Sequence, residues 1–513
     1  MNVVLVVIDS LRYDALAANG RVPAERARAA AGRPAPRMWT PNFDRFAAEA
    51  VVFDNAYAAS YPTIPHRTDL ITGRYGAPFH PWLPLRYDAQ TLPQALAKHG
   101  YATQLIFDTP HLINGGHNFD YPFHAWHFER GNEVDRHWLD DRPSELPPEK
   151  HARYTRADGL FYPTAMQYIR NNRRRLREED WPSPRLFTAV SRWLEDNCRR
   201  DNFFLWVDCF DPHEPWDPPA HYIDLYAPDR RKTGDLNVLF GWEGYAGKPL
   251  SKEEVARVRA HYAGEVTMVD HWFGRMLATL NAVGLAERTA VVVTSDHGTN
   301  LGAHGLLQKD YPLWDQVAHT VLMVRLPVGA RAPAGRRVFA AANQGAVRRR
   351  ELLQPQDIFP TICELAGAPV PASVQGHSFV QLLTDRRDVD WPRKVVLSSR
   401  AYDLAREETP VITVQDRTWC LLDSPDPGKR LLYHKPTDRA EEKDVARKHP
   451  RVVQRLHRAL LEELPRRGAP QALIDWFATG RKGPLPPDYR FRDPSLAAYR
   501  LYWAGILPEE PGL

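Results

Sequence analysis

The chain has 513 residues, a formal net charge of +4, 43% hydrophobic residues and 25% charged ones. That length suits a large domain joined to a smaller one, and the small net charge gives no electrostatic case for a nucleic-acid partner. Four cysteines, Cys198, Cys209, Cys363 and Cys420, are too scattered for a disulfide framework and read as buried thiols in a reducing compartment.

The chain opens on residues 3–8, an apolar β-branched run typical of a strand buried on both faces of a parallel sheet. No basic n-region or cleavage site precedes it, and it is too short to span a bilayer. The expectation is a cytoplasmic protein without a membrane anchor. Similar runs recur at 102–107, 203–207, 290–294 and 320–326. Between them lie helical patterns, the clearest at 253–280, where Val255, Val258, Tyr262, Val266, Val269, Phe273, Leu277 and Leu280 share a face. Alternating strands and helices predict an α/β fold, a large mostly parallel sheet flanked by helices.

Residues 115–200 break this rhythm and read as an insertion, with Arg170, Arg173, Arg174, Arg175 and Arg177 as a solvated helix face. Past residue 385 the pattern changes. Short runs at 394–399, 410–414, 418–422 and 430–434 predict an antiparallel sheet, and 452–464 an amphipathic helix. The expected organisation is a catalytic domain over 1–385, a small sheet-plus-helix subdomain over 386–467, and a tail over 468–513. Trp476, Tyr489, Tyr499, Tyr502 and Trp503 make that tail too aromatic to be left in solvent. It is expected to pack on the body or on a neighbouring subunit, hence a homo-oligomer.

Polar residues follow the strands: Asp9-Ser10, Asp108 to His111, Asp208 to His213, and Asp296-His297. In open α/β sheets ligands bind beyond the carboxyl ends of the strands, so topology brings these segments to one edge.

The segment Thr63-Ile64-Pro65-His66-Arg67-Thr68-Asp69-Leu70-Ile71-Thr72-Gly73-Arg74 resembles the sulfatase signature Cys (or Ser)-x-Pro-Ser-Arg-x-x-Leu-x-Thr-Gly-Arg. The opening residues, the stretch from Tyr262 to Gly298, Leu301 to Asp310, Asp211 to Trp216 and Gln356 to Phe379 also resemble family segments, in order. The resemblance implies the alkaline phosphatase superfamily and a metal-dependent hydrolase. It further implies Asp9, Asp296, His297 and the Thr63 hydroxyl as metal ligands, with Arg67, His213 and Lys309 beside Thr63 as catalytic residues.

Sulfatases convert the cysteine or serine to formylglycine, which threonine cannot become. A formylglycine hydrate expels sulfate by collapsing to its aldehyde, whereas a threonine ester must be cleaved by water at its central atom. Where sulfatases carry Gly-Lys-Trp-His, this chain has Asp108-Thr109-Pro110-His111, and its Phe107 and Thr109 resemble the aromatic and threonine that phosphonate monoester hydrolases and related phosphodiesterases have at these places. Thr109 and His111 are therefore expected to contact substrate. Imidazole beside carboxylates favours one transition metal, manganese first, then zinc or iron, over calcium. The expected activity is hydrolysis of small-molecule phosphodiesters or phosphonate monoesters through a covalent threonine adduct. The alternatives are a sulfatase using Thr63, or an inactive binding protein that kept the fold.

Overall fold

The computed structural model describes residues 1–19, 38–76, 82–114, 116–133, 135–139, 162–229, 251–309, 312–327, 347–386, 389–400, 410–469 and 471–480. Its large sheet contains β1 (Asn2–Ile8), β2 (Val51–Ala56), β4 (Ala102–Phe107), β5 (Ala125–Phe128), β6 (Phe203–Cys209), β7 (Thr289–Ser295), β10 (Leu322–Arg325) and β11 (Val347–Leu353), ordered β11-β2-β10-β7-β1-β6-β4-β5. All pairings are parallel except those of β10 with β2 and β7.

The run at 320–326 is thus a strand, as expected, but antiparallel. After β7 the chain makes the short hairpin β8 (Asn300–Leu301) and β9 (Leu307–Gln308), then re-enters the sheet from the end it left. A return at the same end gives an antiparallel strand and needs no crossover helix.

Because side chains alternate along a strand, each sheet face buries its own layer. Val4, Val6, Ile8, Leu205 and Val207 pack under α1 (Pro41–Ala48), α5 (Pro182–Asp196) and α6 (Lys252–Ala282). Val3, Leu5, Val7, Phe204 and Trp206 pack under α2 (Thr63–Thr72), α3 (Leu92–Lys98) and α7 (Ile358–Ala366). Helix α6 matches the expected amphipathic stretch. It starts at a capping box in which the Glu254 amide donates to Ser251 Oγ (3.2 Å) and the Ser251 amide to Glu254 Oε2 (2.7 Å).

Two expectations for 115–200 are corrected. Leu186, Phe187, Val190 and Leu194 of α5 are buried in the core, so this part of the segment is structural rather than inserted. Its Trp, Pro and Arg content hid an i, i+4, i+8 apolar stripe. The basic run is no helix face either, because α4 (Tyr162–Asn172) ends before most of it. Arg175 turns inward, its side chain 7% exposed and its Nη1 2.8 Å from Oδ2 of the half-buried Asp217, because a cation taken out of water needs an anionic partner.

The smaller sheet, ordered β15-β14-β13-β12-β3, uses β12 (Val396–Arg400), β13 (Ile412–Gln415), β14 (Trp419–Asp423) and β15 (Leu431–His434), all mutually antiparallel. Its fifth strand, β3 (Ser60–Tyr61), comes from the other end of the chain and pairs in parallel with β12. Leu456, Leu460 and Leu464 of α8 (Pro450–Arg466) close over this sheet, joined by Leu473, Trp476 and Phe477 of α9 (Gln471–Thr479). The start of the aromatic tail therefore packs on the body. Tyr489, Tyr499, Tyr502 and Trp503 lie outside the described residues. No helix among the described residues is long and apolar enough to cross a membrane.

Phe187 is fully buried, with its ring 6.5 Å from that of Phe273 on α6. Phe187→Ala is expected to lower stability by about 3–5 kcal/mol, whereas a change at exposed Leu176 should stay within about 0.5 kcal/mol. Urea denaturation midpoints at constant m-value measure both.

Candidate active site

Strand register explains why acids from distant segments meet. Strands β7, β1, β6 and β4 are neighbours, with Ile8 opposite Ser295 and Cys209, and Asp208 opposite Val7 and Phe107. Counting in twos from Val7, Trp206, Val292 and Phe107 puts Asp9, Asp208, Asp296 and Thr109 on the face that α2 covers. From α2, Arg67 reaches down among them. Its Nε lies 3.0 Å from Asp208 Oδ2, its Nη2 2.9 Å from Asp208 Oδ1, and its Nη1 2.5 Å from Asp296 Oδ2 and 3.2 Å from Asp9 Oδ2. Nη1 also donates to the Thr63 carbonyl at 3.3 Å, tying the guanidinium to the helix start. Burial disfavours the Arg67 charge, but Asp208, Asp296 and Asp9 outweigh it and hold its pKa well above the usual value.

Asp9, Asp296 and His297 form a fully buried group whose candidate ligand atoms lie within 4.8 Å of one another. His297 Nδ1 donates to the Gly298 carbonyl (2.7 Å), which turns Nε2 toward Asp296 Oδ2 at 3.4 Å and Asp9 Oδ1 at 3.9 Å. The ring is held at this angle by Tyr61, edge to face at 4.7 Å. Burial pushes its pKa down to about 3, so Nε2 carries a lone pair at neutral pH. That lone pair has no hydrogen-bond donor, and Asp9 Oδ2 has the Arg67 charge at 3.2 Å but no hydrogen bond. Buried carboxylates beside an imidazole lone pair without a donor make a ligand set that fits a divalent metal.

Backbone amides and the Ser10 hydroxyl fix the same carboxylates from behind. Asp296 Oδ1 accepts from the amides of Ser10 (3.0 Å) and His297 (2.6 Å), and Asp9 Oδ1 from Ser10 Oγ (2.8 Å). Two adjacent buried carboxylates do not both ionise freely. Burial raises both, but Arg67 and Lys309 hold Asp9 well below the usual carboxylate range. Asp296, facing Asp9, is pushed well above it.

Thr63 is fully buried and opens α2, where helix amides lack intrahelical acceptors and favour an anion. Lys309, which follows β9, donates from Nζ to Thr63 Oγ1 at 3.2 Å and to His213 Nε2 at 2.6 Å. His213 Nδ1 lies 2.5 Å from the Glu214 carbonyl, which can only accept, so the proton sits on Nδ1 and Nε2 is an acceptor. Burial and then Lys309 push the His213 pKa well below its usual value. The ring stacks on Phe210 at 4.0 Å.

Asp9, Thr63, Arg67, His213, Asp296, His297 and Lys309 thus converge. Thr109 and His111 face other partners. The Thr109 hydroxyl donates to Asp208 Oδ1 at 2.6 Å, and His111 Nε2 donates to Glu133 Oε2 at 2.7 Å. The sequence places Asp208 at this edge but gives it no role, although the alternation Phe204, Trp206, Asp208 puts it on the α2 face. Glu133 had no such signal, because it lies in a loop without periodicity.

The sulfatase family model matches residues 1–368, and that of the N-sulphoglucosamine sulphohydrolase C-terminal region matches 302–466. An arylsulfatase of Clostridium perfringens (strain 13 / Type A) is 28% identical over 419 residues, covering 75% of this chain and 79% of that protein. The multifunctional alkaline phosphatase superfamily protein PehA of Trinickia caryophylli is 26% identical over 432 residues, 76% and 78% of the two chains. Among solved structures, the phosphonate monoester hydrolase SpPMH from Silicibacter pomeroyi superposes with a TM-score of 0.65 at 22% identity, over 91% of this chain and 95% of that one. The chain belongs to the sulfatase family, hydrolases of ester bonds that bind a divalent metal ion.

Asp208 supports the site without facing the metal group. Asp208→Ala breaks a buried ion pair and is expected to cost about 3–5 kcal/mol of stability. Thr109→Val removes one hydrogen bond to a charged group and should cost about 1.5–3 kcal/mol. Chemical denaturation of the two variants beside the wild type measures the difference.

Proposed function

We propose that this protein hydrolyses phosphodiesters or phosphonate monoesters through a covalent adduct on Thr63. One observation carries the reading: the Thr63 hydroxyl, at the N-terminus of α2, is bonded by Lys309, while Arg67 Nη1 joins the Thr63 carbonyl to Asp296 and Asp9 of the buried group that includes His297. Oxidising a threonine hydroxyl gives a ketone, not the aldehyde of formylglycine, so the hydroxyl must itself attack.

In the first step Thr63 Oγ1 attacks phosphorus and gives its proton to the Lys309–His213 pair, the bond to the leaving oxygen breaks, and the pair delivers a proton to that oxygen. In the second, water attacks phosphorus and gives a proton to the pair, the bond to Oγ1 breaks, and the pair returns a proton to Thr63 Oγ1. A divalent ion held by Asp9, Asp296, His297 and Oγ1 would lower the pKa of the hydroxyl and draw charge from the ester oxygens. Imidazole with carboxylates favours manganese, zinc or iron. Lys309 stabilises the alkoxide by donating to Oγ1 and then neutralises the phosphoryl oxygens. Because His213 Nε2 accepts from Lys309, the leaving oxygen's proton comes from the Lys309–His213 pair rather than from an imidazolium. Thr109 serves by holding Asp208, which holds Arg67.

The rival reading is sulfate-ester hydrolysis, favoured by the relatives that are sulfatases. Side-by-side kinetics at saturating manganese distinguish the two. Aryl phosphodiesters and phosphonate monoesters are expected to show higher kcat/KM than the aryl sulfate. Thr63→Ala should lower kcat on the order of a thousandfold or more, and acid-quenched wild type should carry the phosphoryl or phosphonyl group on the peptide containing Thr63. A sulfate ester that wins, or full activity in Thr63→Ala, overturns the proposal.

Metal analysis of the purified protein should find about one transition metal per chain, with donor sets of this type excluding calcium. Asp9→Ala should lose the ion, whereas Lys309→Ala should keep it and turn over slowly. Calcium alone in the wild type contradicts this assignment.

A further inference from the structure

Behind the Lys309–His213 pair lies a buried acid that the reaction above does not use. Glu214 is 3% exposed, and its Oε2 has no hydrogen-bond partner. That atom lies 3.7 Å from His213 Nδ1, while Lys309 bonds the other ring nitrogen, Nε2, at 2.6 Å. Thr63 Oγ1, Lys309 Nζ, His213 and Glu214 therefore follow one another at 3.2, 2.6 and 3.7 Å. Buried carboxylate oxygens without donors are rare in a fold. Since Oε2 adds no hydrogen bond to the resting structure, its contribution belongs to another charge state of the site. Burial raises the Glu214 pKa to about 7; Lys309 opposes the rise, and Glu133 and Asp9 add to it. Tyr61 feels the same carboxylate, its own pKa raised first by burial and then by Glu214. Asp9 also favours a charged His213, but Asp9 is engaged with Arg67.

We infer, on the reading that Thr63 is the nucleophile, that Glu214 is a positioning residue that stabilises His213 as an imidazolium while the pair holds the Thr63 proton. As Oγ1 loses its proton to Lys309 Nζ, Nζ passes one of its own to His213 Nε2. The ring then carries a proton on each nitrogen. The Glu214 carbonyl holds Nδ1–H at 2.5 Å in either charge state, but only a carboxylate neutralises the cation. Nζ next gives a proton to the leaving oxygen and recovers one from Nε2. The ring returns to neutral, and Glu214 is left as it began.

Glu214→Gln keeps the shape of the side chain and removes its charge. In the metal-loaded enzyme it should lower kcat roughly tenfold or more with KM and bound metal unchanged, because a nearby opposite charge shifts a pKa by about one unit or more. Glu214→Asp should restore part of kcat. Wild-type kcat should fall on the acid side as Glu214 takes up a proton, at or below about pH 7, and Glu214→Gln should lack this limb. A carboxyl whose folded pKa lies above its unfolded value loses stability as it ionises. The urea midpoint of Glu214→Gln at about pH 8 should therefore equal or exceed that of the wild type. A lowered midpoint or a failure to fold marks a structural group, and wild-type kcat with the acid limb intact marks an idle one; either overturns the inference. Full activity in Thr63→Ala overturns it together with the proposed function, whereas an inactive Thr63→Ala beside an unaffected Glu214→Gln removes the inference alone.

Discussion

A single guanidinium holds the active site together. Arg67 binds carboxylates that end three adjacent parallel strands, and through Nη1 it also binds the helix that presents Thr63. Removing one partner of such a cluster leaves an uncompensated charge in a dry interior, which is why each member depends on the others. Asp208 is fully satisfied, with Thr109 and the Trp206 indole adding donors at 2.6 and 3.1 Å. Three acids face one arginine, and burial together with Asp9 pushes the Asp296 pKa well above the carboxylate range. The unfilled acceptors are Asp9 Oδ2 and His297 Nε2 beside it. The arrangement of Arg67 therefore decides where a cation is required.

The small sheet takes part in this arrangement. Its parallel partner β3 lies two residues before Thr63, so the approach to α2 is an edge strand of the C-terminal sheet. Asp69, one turn and a half into α2, accepts from the Ser60 amide at 2.9 Å and the Gly76 amide at 2.8 Å, clamping both ends of that helix segment. Burial drives the Asp69 pKa up to about 7, and the two amides oppose that rise. The position of Thr63 thus depends on residues more than three hundred positions away, and it would shift if the small sheet lost its hold on Ser60.

The strands buried on both faces were legible because their runs are uniformly apolar, and Asp9, Asp296 and His297 because they directly follow such runs. The small sheet was legible from its turn residues. What escaped had weaker or conflicting local signals. Strand β11 reads Val-Arg-Arg-Arg-Glu-Leu-Leu, an edge strand whose arginines protect it from further pairing. Helix α5 begins Pro-Ser-Pro, which resembles a loop, although proline is tolerated in a helix's first turn. Strand direction at β10 depended on where the chain re-entered the sheet, which no local pattern records. Thr109 and His111 were found at the right edge of the sheet, but their hydroxyl and imidazole go to Asp208 and Glu133, partners set by tertiary contact alone.

Helix α2 contains three threonines, and comparing them shows what position does to one side chain. Thr68 donates its hydroxyl to the Ile64 carbonyl at 2.9 Å, and Thr72 to the Thr68 carbonyl at 2.6 Å. Both are absorbed by the helix, the usual fate of threonine one turn beyond a carbonyl. Thr63 is the first residue of the helix and has no preceding helical turn to bond. Its hydroxyl stays available to Lys309, while branching at Cβ restricts how far it can rotate away. A hydroxyl freed by its place in the helix, held by side-chain stiffness and bonded by a lysine is the one the proposed mechanism uses. The same residue one turn later would be only part of the helix.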